Sequence, residues 1–165
     1  TENIKKSFKK FKGIKRRFTL IDTIAGVKIF DDYAHHPTEI KASLKAARTG
    51  WKDRKITAIF QPHLYSRTRD FYKDFGESFC DADSVIITSI YPAREKPIEG
   101  ITGDLIAQWA QTHGHSDTRY IADKNEIIEY TADKVRPGEI IMTLGAGDVW
   151  DISERIILNL KNKNR

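Results

Sequence analysis

Val27-Lys28-Ile29-Phe30-Asp31-Asp32-Tyr33-Ala34-His35-His36-Pro37-Thr38-Glu39-Ile40 passes from a strand-like run, through a polar loop, into a helix. Val27 to Asp31 reads as a short apolar strand. Pro37 suits a first helical position, where its missing N–H costs nothing and its φ is already helical. Glu39 favours the positive end of that helix, and Ile40, Leu44 and Ala47 recur on one face. Upstream, Arg17 to Thr23 reads as a second strand, joined to the first by a tight turn at Ala25-Gly26.

The same alternation continues downstream. Strand-like runs occupy Lys55 to Phe60, Ser84 to Ser89, Arg119 to Ala122 and Glu139 to Leu144, the last entered through the turn Pro137-Gly138. Between them, Ser66 is placed to cap a helix whose Phe71, Phe75 and Phe79 recur every four residues, a pattern of core packing. Thr102 to Thr112 reads as a helix with Leu105, Ile106 and Trp109 inward. Asp123 with Glu126 resembles a capping box opening a helix toward Val135. A last helix over Asp148 to Leu160 carries Ile152, Ile156 and Leu160 on one face. Strands alternating with helices predict an α/β fold: a mostly parallel sheet with helices on both faces and an antiparallel N-terminal hairpin strand.

Composition agrees. The 165 residues are 39% hydrophobic and 31% charged, too apolar for a disordered chain and too interrupted by charge for a membrane protein. No run approaches the roughly 20 apolar residues of a spanning helix. The single cysteine, Cys80, excludes an internal disulfide framework and a multi-cysteine zinc site, and a reducing cytosolic setting is the default. The chain opens on Thr1 and its only methionine is Met142, as expected of a piece of a longer protein. Residues 1–17 hold eight basic side chains against Glu2, while the body from 18 to 160 is net acidic. A basic arm can grip phosphate, but the acidic body argues against a nucleic-acid face. Ile4, Phe8 and Phe11 suggest instead one stripe of a short helix ending at Gly13.

In parallel sheets, ligands gather beyond the carboxyl ends of the strands. The loops on that edge hold Asp31 to Pro37, Gln61 to Arg67, Ile90 to Glu95 and Gly145 to Asp148, and with them most side chains useful for chemistry. Asp32 is placed to accept from ribose hydroxyls or to orient a histidine. His35 and His36 diverge, so one faces the cleft, or else one caps the helix and the other is solvated. His35, His36 and Glu39 could offer metal ligands, yet no His-Glu-x-x-His or cysteine pair supports a metal site. Arg67 stands in a first helical turn, where the dipole opposes a cation unless it has an anion to hold. Its planar fork suits a carboxylate or phosphate, the plain alternative being a surface pair with Asp70. Gly145-Ala146-Gly147 allows a ligand close to the backbone, and no Gly-x-x-x-x-Gly-Lys-Ser/Thr loop occurs anywhere.

Asp31-Asp32-Tyr33-Ala34-His35-His36-Pro37-Thr38-Glu39 followed by Phe60-Gln61-Pro62-His63-Leu64-Tyr65-Ser66-Arg67-Thr68 resembles the C-terminal domain of the Mur ligase family. Phe11-x-Gly13-x-x-Arg16-Arg17-Phe18 and Gly145-Ala146-Gly147-Asp148 also fit, so the resemblance runs from about residue 8 to 160. The second motif points to the alanine-adding branch, and away from the ligase that recycles murein peptides. The resemblance implies a Rossmann-like domain at 18–165, with 1–17 as a basic linker arriving from a preceding ATPase domain. It implies a bacterial, cytoplasmic, ATP-dependent ligase of peptidoglycan precursor synthesis that joins L-alanine to UDP-N-acetylmuramate through an acyl phosphate. ATP and Mg²⁺ would be bound mainly by N-terminal and central domains of the same enzyme, and the fragment alone would be inactive. Carried over by position, Arg17, Asp32 and Tyr33 would contact ATP. His35, His63 and Arg67 would face the amino acid and the reacting centre. Position 64 is often arginine in the family and is Leu64 here, so the alanine carboxylate should rest more heavily on Arg67. The other class left open is a free-standing anion- or nucleotide-binding module without catalysis.

Overall fold

The computed structural model describes residues 15–163, so the stripe expected at Ile4, Phe8 and Phe11 lies outside the described residues. Six strands form one sheet: β1 (Thr19–Ile24), β2 (Val27–Asp32), β3 (Ile56–Phe60), β4 (Ser84–Ile87), β5 (Thr118–Tyr120) and β6 (Ile140–Leu144). The helices among the described residues are α1 (Pro37–Gly50), α2 (Tyr65–Gly76), α3 (Asp104–Thr112), α4 (Lys124–Lys134) and α5 (Trp150–Lys163). The sheet order is β1-β2-β6-β3-β4-β5, with β1 antiparallel to β2 and every other neighbouring pair parallel. This is the expected architecture. Ala25 (φ 49°) and Gly26 (φ 83°) both take left-handed backbone in the β1–β2 turn, the pairing that matches the twist of a tight hairpin.

Alternation along each strand feeds two cores. Phe30, Phe60, Ile87 and Met142 point to one face, where α1, α2 and α3 cover them with Ile40, Leu44, Phe75 and Ile106. Val27, Ile29, Ile59, Ile86 and Ile141 point to the other, covered by Ile127 of α4 and by Ile152, Ile156 and Leu160 of α5. Burial on both sides explains why the central strands read as continuous apolar runs.

Three local expectations need correction. Phe71, Phe75 and Phe79 do not form one stripe: Phe75 and Phe79 are fully buried, whereas Phe71 is 38% exposed. Residues four apart advance about 40° around a helix at each step, so the row drifts off the core face, and α2 in any case ends at Gly76. Trp109 and Leu105 are only half-buried, Trp109 lying against Gly76 of α2, and the buried residues of α3 are Ile106, Ala107 and Ala110. Asp123 caps α4 by accepting from the Asn125 N–H, and Glu126 contributes only its charge in the first turn.

Strand order decides where loops meet. β3, β4 and β5 step outward one after another, and β6 then returns to lie between β2 and β3. The loops after β2, β6, β3 and β4 therefore open side by side on one edge, at the reversal where α/β sheets leave a crevice.

One tie closes this edge from the N-terminal side. The Arg16 guanidinium donates to Asp31 Oδ2 (2.8 Å) and to the carbonyls of Gly145 (2.8 Å) and Gly147 (3.2 Å). Asp31, 1% exposed, also accepts from the Thr143 hydroxyl at 2.8 Å. Arg16→Ala would strand that buried carboxylate, and breaking a buried pair from one side costs on the order of 3 kcal/mol. Denaturant unfolding of Arg16→Ala should show a loss of that size, and a loss below about 0.5 kcal/mol would mean that the pair contributes nothing to stability.

Candidate functional site

The β2–α1 loop presents its groups through a dense backbone network. Asp32 is 8% exposed, and its oxygens accept from the N–H of Phe18 (3.1 Å) and Ala34 (2.9 Å) and from the Ser43 hydroxyl (2.6 Å). Its carboxylate is thus committed to fixing the loop and the left-handed turn at Arg16 (φ 59°) and Phe18 (φ 46°), more than left open for a ribose. Glu39 reaches back from α1 to the N–H of His35 (2.9 Å) and His36 (3.2 Å). Burial raises the Glu39 pKa, but these donors and the two imidazoles outweigh it and hold the group below its ordinary 4.5.

The two adjacent histidines diverge as expected. His36 turns its ring to the Thr38 hydroxyl (2.9 Å) and edge-on to Phe71. His35 turns inward, its Nδ1 at 2.9 Å from the Tyr33 carbonyl and its ring 6.0 Å from that of His63. His35 Nδ1 lies 3.3 Å from Glu39 Oε2 but His36 turns away from both, and among the described residues no group of three or more His, Cys, Asp or Glu side chains could hold a metal ion.

The β3–α2 loop supplies His63 and Arg67. The His63 ring stacks on Tyr91 at 5.7 Å, and its Nδ1 is buried without a hydrogen-bond partner. Burial lowers the His63 pKa from its ordinary 6.5, and the positive charge of Arg67 and the His35 ring lower it further, against the opposing pull of Glu95. The ring is therefore neutral at neutral pH and able to accept a proton. Arg67 is half-buried, and its hydrogen bond is to the His35 carbonyl at 3.5 Å. The surface pair with Asp70 is made by Arg69 instead, at 2.8 Å. Arg67 has no ion-pair partner among the described residues, so its fork is open to an anion.

His35, His63 and Arg67 are thus brought together, and Tyr33, its ring edge-on to His35 at 5.3 Å, shares a cavity lining with His35 and Arg17. Arg17 is exposed with no side-chain partner among the described residues, and Tyr33 is 42% exposed. Both line a cavity of about 330 Å³ with Asp32, His35 and Ser43. Arg17, in the expected role, is free to reach outward, while Arg16 beside it is the one bonded into the body.

Several contributors were not singled out from sequence. Gln61, 3% exposed, donates to Asp148 Oδ1 at 2.8 Å, and Asp148 pairs with Lys124 at 2.7 Å. Burial raises the Asp148 pKa, but Lys124 and Gln61 more than reverse this and hold it below 3.8. Tyr91 lies so close to Gly147 that a Cβ there would stand 2.6 Å from the ring. Gln61 and Asp148 fall inside quoted motifs and Tyr91 on the same edge, so position was a usable signal for all three. Arg16 had none that set it above Arg17.

The low His63 pKa sets a pH dependence. The unfolded chain binds a proton at His63 near 6.5 and the folded chain only at lower pH, so folding is favoured above 6.5 and this contribution is lost as pH falls through the lowered value. The thermal midpoint should decline over that window, and His63→Gln should flatten the decline. An unchanged slope in the variant would show that another group carries it. Glu39 and Asp148 act in the same direction only at more acid pH, being held below 4.5 and 3.8.

Comparison with known proteins adds an independent line. The family described as Mur ligase, glutamate ligase domain, matches residues 16–147. The UDP-N-acetylmuramate–L-alanine ligase of Geotalea uraniireducens is 47% identical over 158 residues, covering 96% of this chain and 34% of that protein. The protein of the same name from a Geobacter species is 45% identical over 160 residues, covering 97% and 35%. The chain spans about a third of the length of these relatives. Among solved structures, the UDP-N-acetylmuramate-alanine ligase of Thermotoga maritima shares the fold with a TM-score of 0.79 at 24% identity, over 96% of this chain and 33% of that one. A murein peptide ligase from Psychrobacter arcticus aligns with a TM-score of 0.76 at 26% identity, over 92% and 31%. With its motifs gathered on one sheet edge and the family match running from Arg16 to Gly147, the chain belongs to the Mur ligase family through its glutamate ligase domain.

Proposed function

We propose that this chain is the C-terminal, substrate-closing domain of a bacterial, cytoplasmic, ATP-dependent ligase that joins L-alanine to UDP-N-acetylmuramate. On this reading residues 1–17 arrive from a preceding ATPase domain and 18–165 form the closing domain, with Arg16 already bonded to the latter. The observation that carries the reading is Arg67, an unpaired guanidinium beside a neutral His63, in a chain close to half identical to proteins named for that reaction. Alanine offers one methyl, one carboxylate and one amine. A bidentate Arg67 would fix both the position and the angle of the carboxylate. The ammonium must shed a proton before it attacks the muramyl acyl phosphate. His63, kept neutral by its lowered pKa, has a free lone pair to receive that proton as the amine attacks, with His35 opposite. The amine nitrogen then bonds to the acyl carbon, and inorganic phosphate leaves through a tetrahedral intermediate.

Bound ATP would supply the phosphoryl group that activates the muramyl carboxylate. The cavity of Arg17, Asp32 and Tyr33 offers a cation, a phenol and a fixed carboxylate, a set that suits part of a nucleotide. For Mg²⁺ the described residues offer no convergent ligand set, and no step is assigned to a metal in this domain. On this division of labour the separate chain should neither hydrolyse ATP nor form the amide, and ATP turnover by a purified, contaminant-free sample would refute it.

Two substitutions in the complete ligase test the assignments. Losing a charge-assisted hydrogen bond in a closed site costs roughly 1.5–3 kcal/mol, so Arg67→Ala should lower kcat/KM for alanine about 10- to 150-fold. Arg67→Lys should also be impaired, since lysine keeps the charge but loses the fork. Wild-type kcat/KM in both would make Arg67 a surface residue. Arg17→Ala should act chiefly on kcat, by up to ~10³-fold if it meets charge on the transferring phosphoryl group. A rise in alanine KM alone would place Arg17 in the amino-acid site instead.

A further inference from the structure

Helix α2 begins without an acceptor of its own. Leu64 stands at the N-cap with φ 71° and has no side-chain oxygen, and the first turn holds no acidic residue. Ser66, expected to cap, lies inside the helix. Yet Arg67 adds a cation at the positive end of the dipole, a combination that disfavours both. The missing acceptor comes from another loop. Glu95, between β4 and α3, accepts from the Ser66 N–H at 3.0 Å on one oxygen and from the Ser66 hydroxyl at 2.5 Å on the other. These bonds, together with the Tyr65 backbone, hold its carboxyl below the ordinary 4.5.

The loop that carries Glu95 is itself anchored. Leu64 N–H donates to the Tyr91 carbonyl (3.0 Å) and Tyr91 N–H to the Pro62 carbonyl (2.8 Å). His63 and Tyr91 thereby extend the β3–β4 pairing by one parallel bridge beyond the strands. Both ends of the segment holding His63 and Arg67 are thus set by the loop after β4: the strand side by Tyr91, the helix side by Glu95.

We infer that Glu95 is a positioning residue for Arg67, supplying the N-terminal acceptor of α2 from outside the helix and so fixing the turn from which the guanidinium projects. This rests on the reading of Arg67 as the partner of the amino-acid carboxylate. Free N–H groups at a helix start are themselves an anion site. With Glu95 seated there, an incoming carboxylate is excluded from the helix end and directed to Arg67, where the fork sets its angle. Glu95 makes no ion pair with the guanidinium; its oxygens are held by the Ser66 donors, and its charge bears on His63, whose pKa it raises against the stronger lowering by burial and Arg67.

The test has two parts. In this chain, amide hydrogen exchange reads the cap without reference to any reaction. Ser66 should exchange about 10-fold faster in Glu95→Ala, and much less so in Glu95→Gln, whose amide oxygen still accepts. Unchanged Ser66 exchange in Glu95→Ala overturns the cap, and Glu95→Gln guards against a variant that fails to fold. In the complete ligase, Glu95→Ala should raise the alanine KM about 10-fold, with kcat and the ATP KM little changed and Glu95→Gln largely rescued. In an Arg67→Ala background Glu95→Ala should add nothing, because its effect passes through Arg67. An equal further rise there would mean that Glu95 acts on its own and would overturn the inference. If Arg67→Ala leaves the alanine KM untouched while Ser66 exchange still responds to Glu95, the carboxylate reading fails and the cap stands as purely structural.

Discussion

The guanidinium of Arg16 joins three stretches of chain that are distant in sequence: the segment entering β1, the end of β2 at Asp31, and the loop after β6 at Gly145 and Gly147. A carboxylate as buried as Asp31 requires both a counter-charge and full hydrogen bonding, and Arg16 with Thr143 supplies them. The neighbouring carboxylate, Asp32, then holds Phe18 and Ser43, and Phe18 packs its ring on Phe30 at 5.1 Å. Two acidic residues side by side on β2 therefore fasten the chain entry to the sheet edge where the loops gather. Arg17 lies between two residues in left-handed backbone and is exposed.

The opposite side of the crevice is built on a different principle. There the groups suited to chemistry are held by ring packing and a single backbone contact rather than by side-chain bonds, which leaves their polar atoms open. His63 is stacked on Tyr91 and buried enough to stay neutral, and Arg67 meets only a carbonyl. Gln61, Asp148 and Lys124 tie the β3 and β6 loops together beneath them. Gly147 is needed in this layer because any side chain would collide with Tyr91 and Gln61. On the proposed reading, the neutral imidazole would receive a proton from an amino group whose carboxylate the uncompensated cation holds.

The expectations that held rest on local signals. Period-two and period-3.6 patterns identify the strands and helices because side-chain direction follows backbone geometry within a few residues. The apolar runs of β3, β4 and β6 announce a sheet covered on both faces, and the chain's alternation puts the polar loops on one edge. That His35 and His36 diverge follows from adjacency alone. The expectations that failed are those in which one residue chooses among partners. Ser66 has a capping side chain, but Glu95 from another loop takes its hydroxyl. The alternative partner for Arg67, Asp70, likewise goes to another residue, Arg69. Phe71 belongs to an aromatic row whose end drifts away from the core.

The sequence by itself determined the class of fold and the edge on which the polar loops gather, because these depend on local periodicity, while the choice of His35 over His36 beside His63 and Arg67 came from the resemblance of the two motifs to the family. Only the tertiary structure decided that Arg16 is bonded inward while Arg17 is left outward, that Asp32 serves the framework, and that Glu95 and Tyr91 hold the loop of His63 and Arg67. Those outcomes turn on which donor and acceptor come within about 3 Å of each other. That is set by the return of β6 between β2 and β3, a placement of strands that no short window of residues contains.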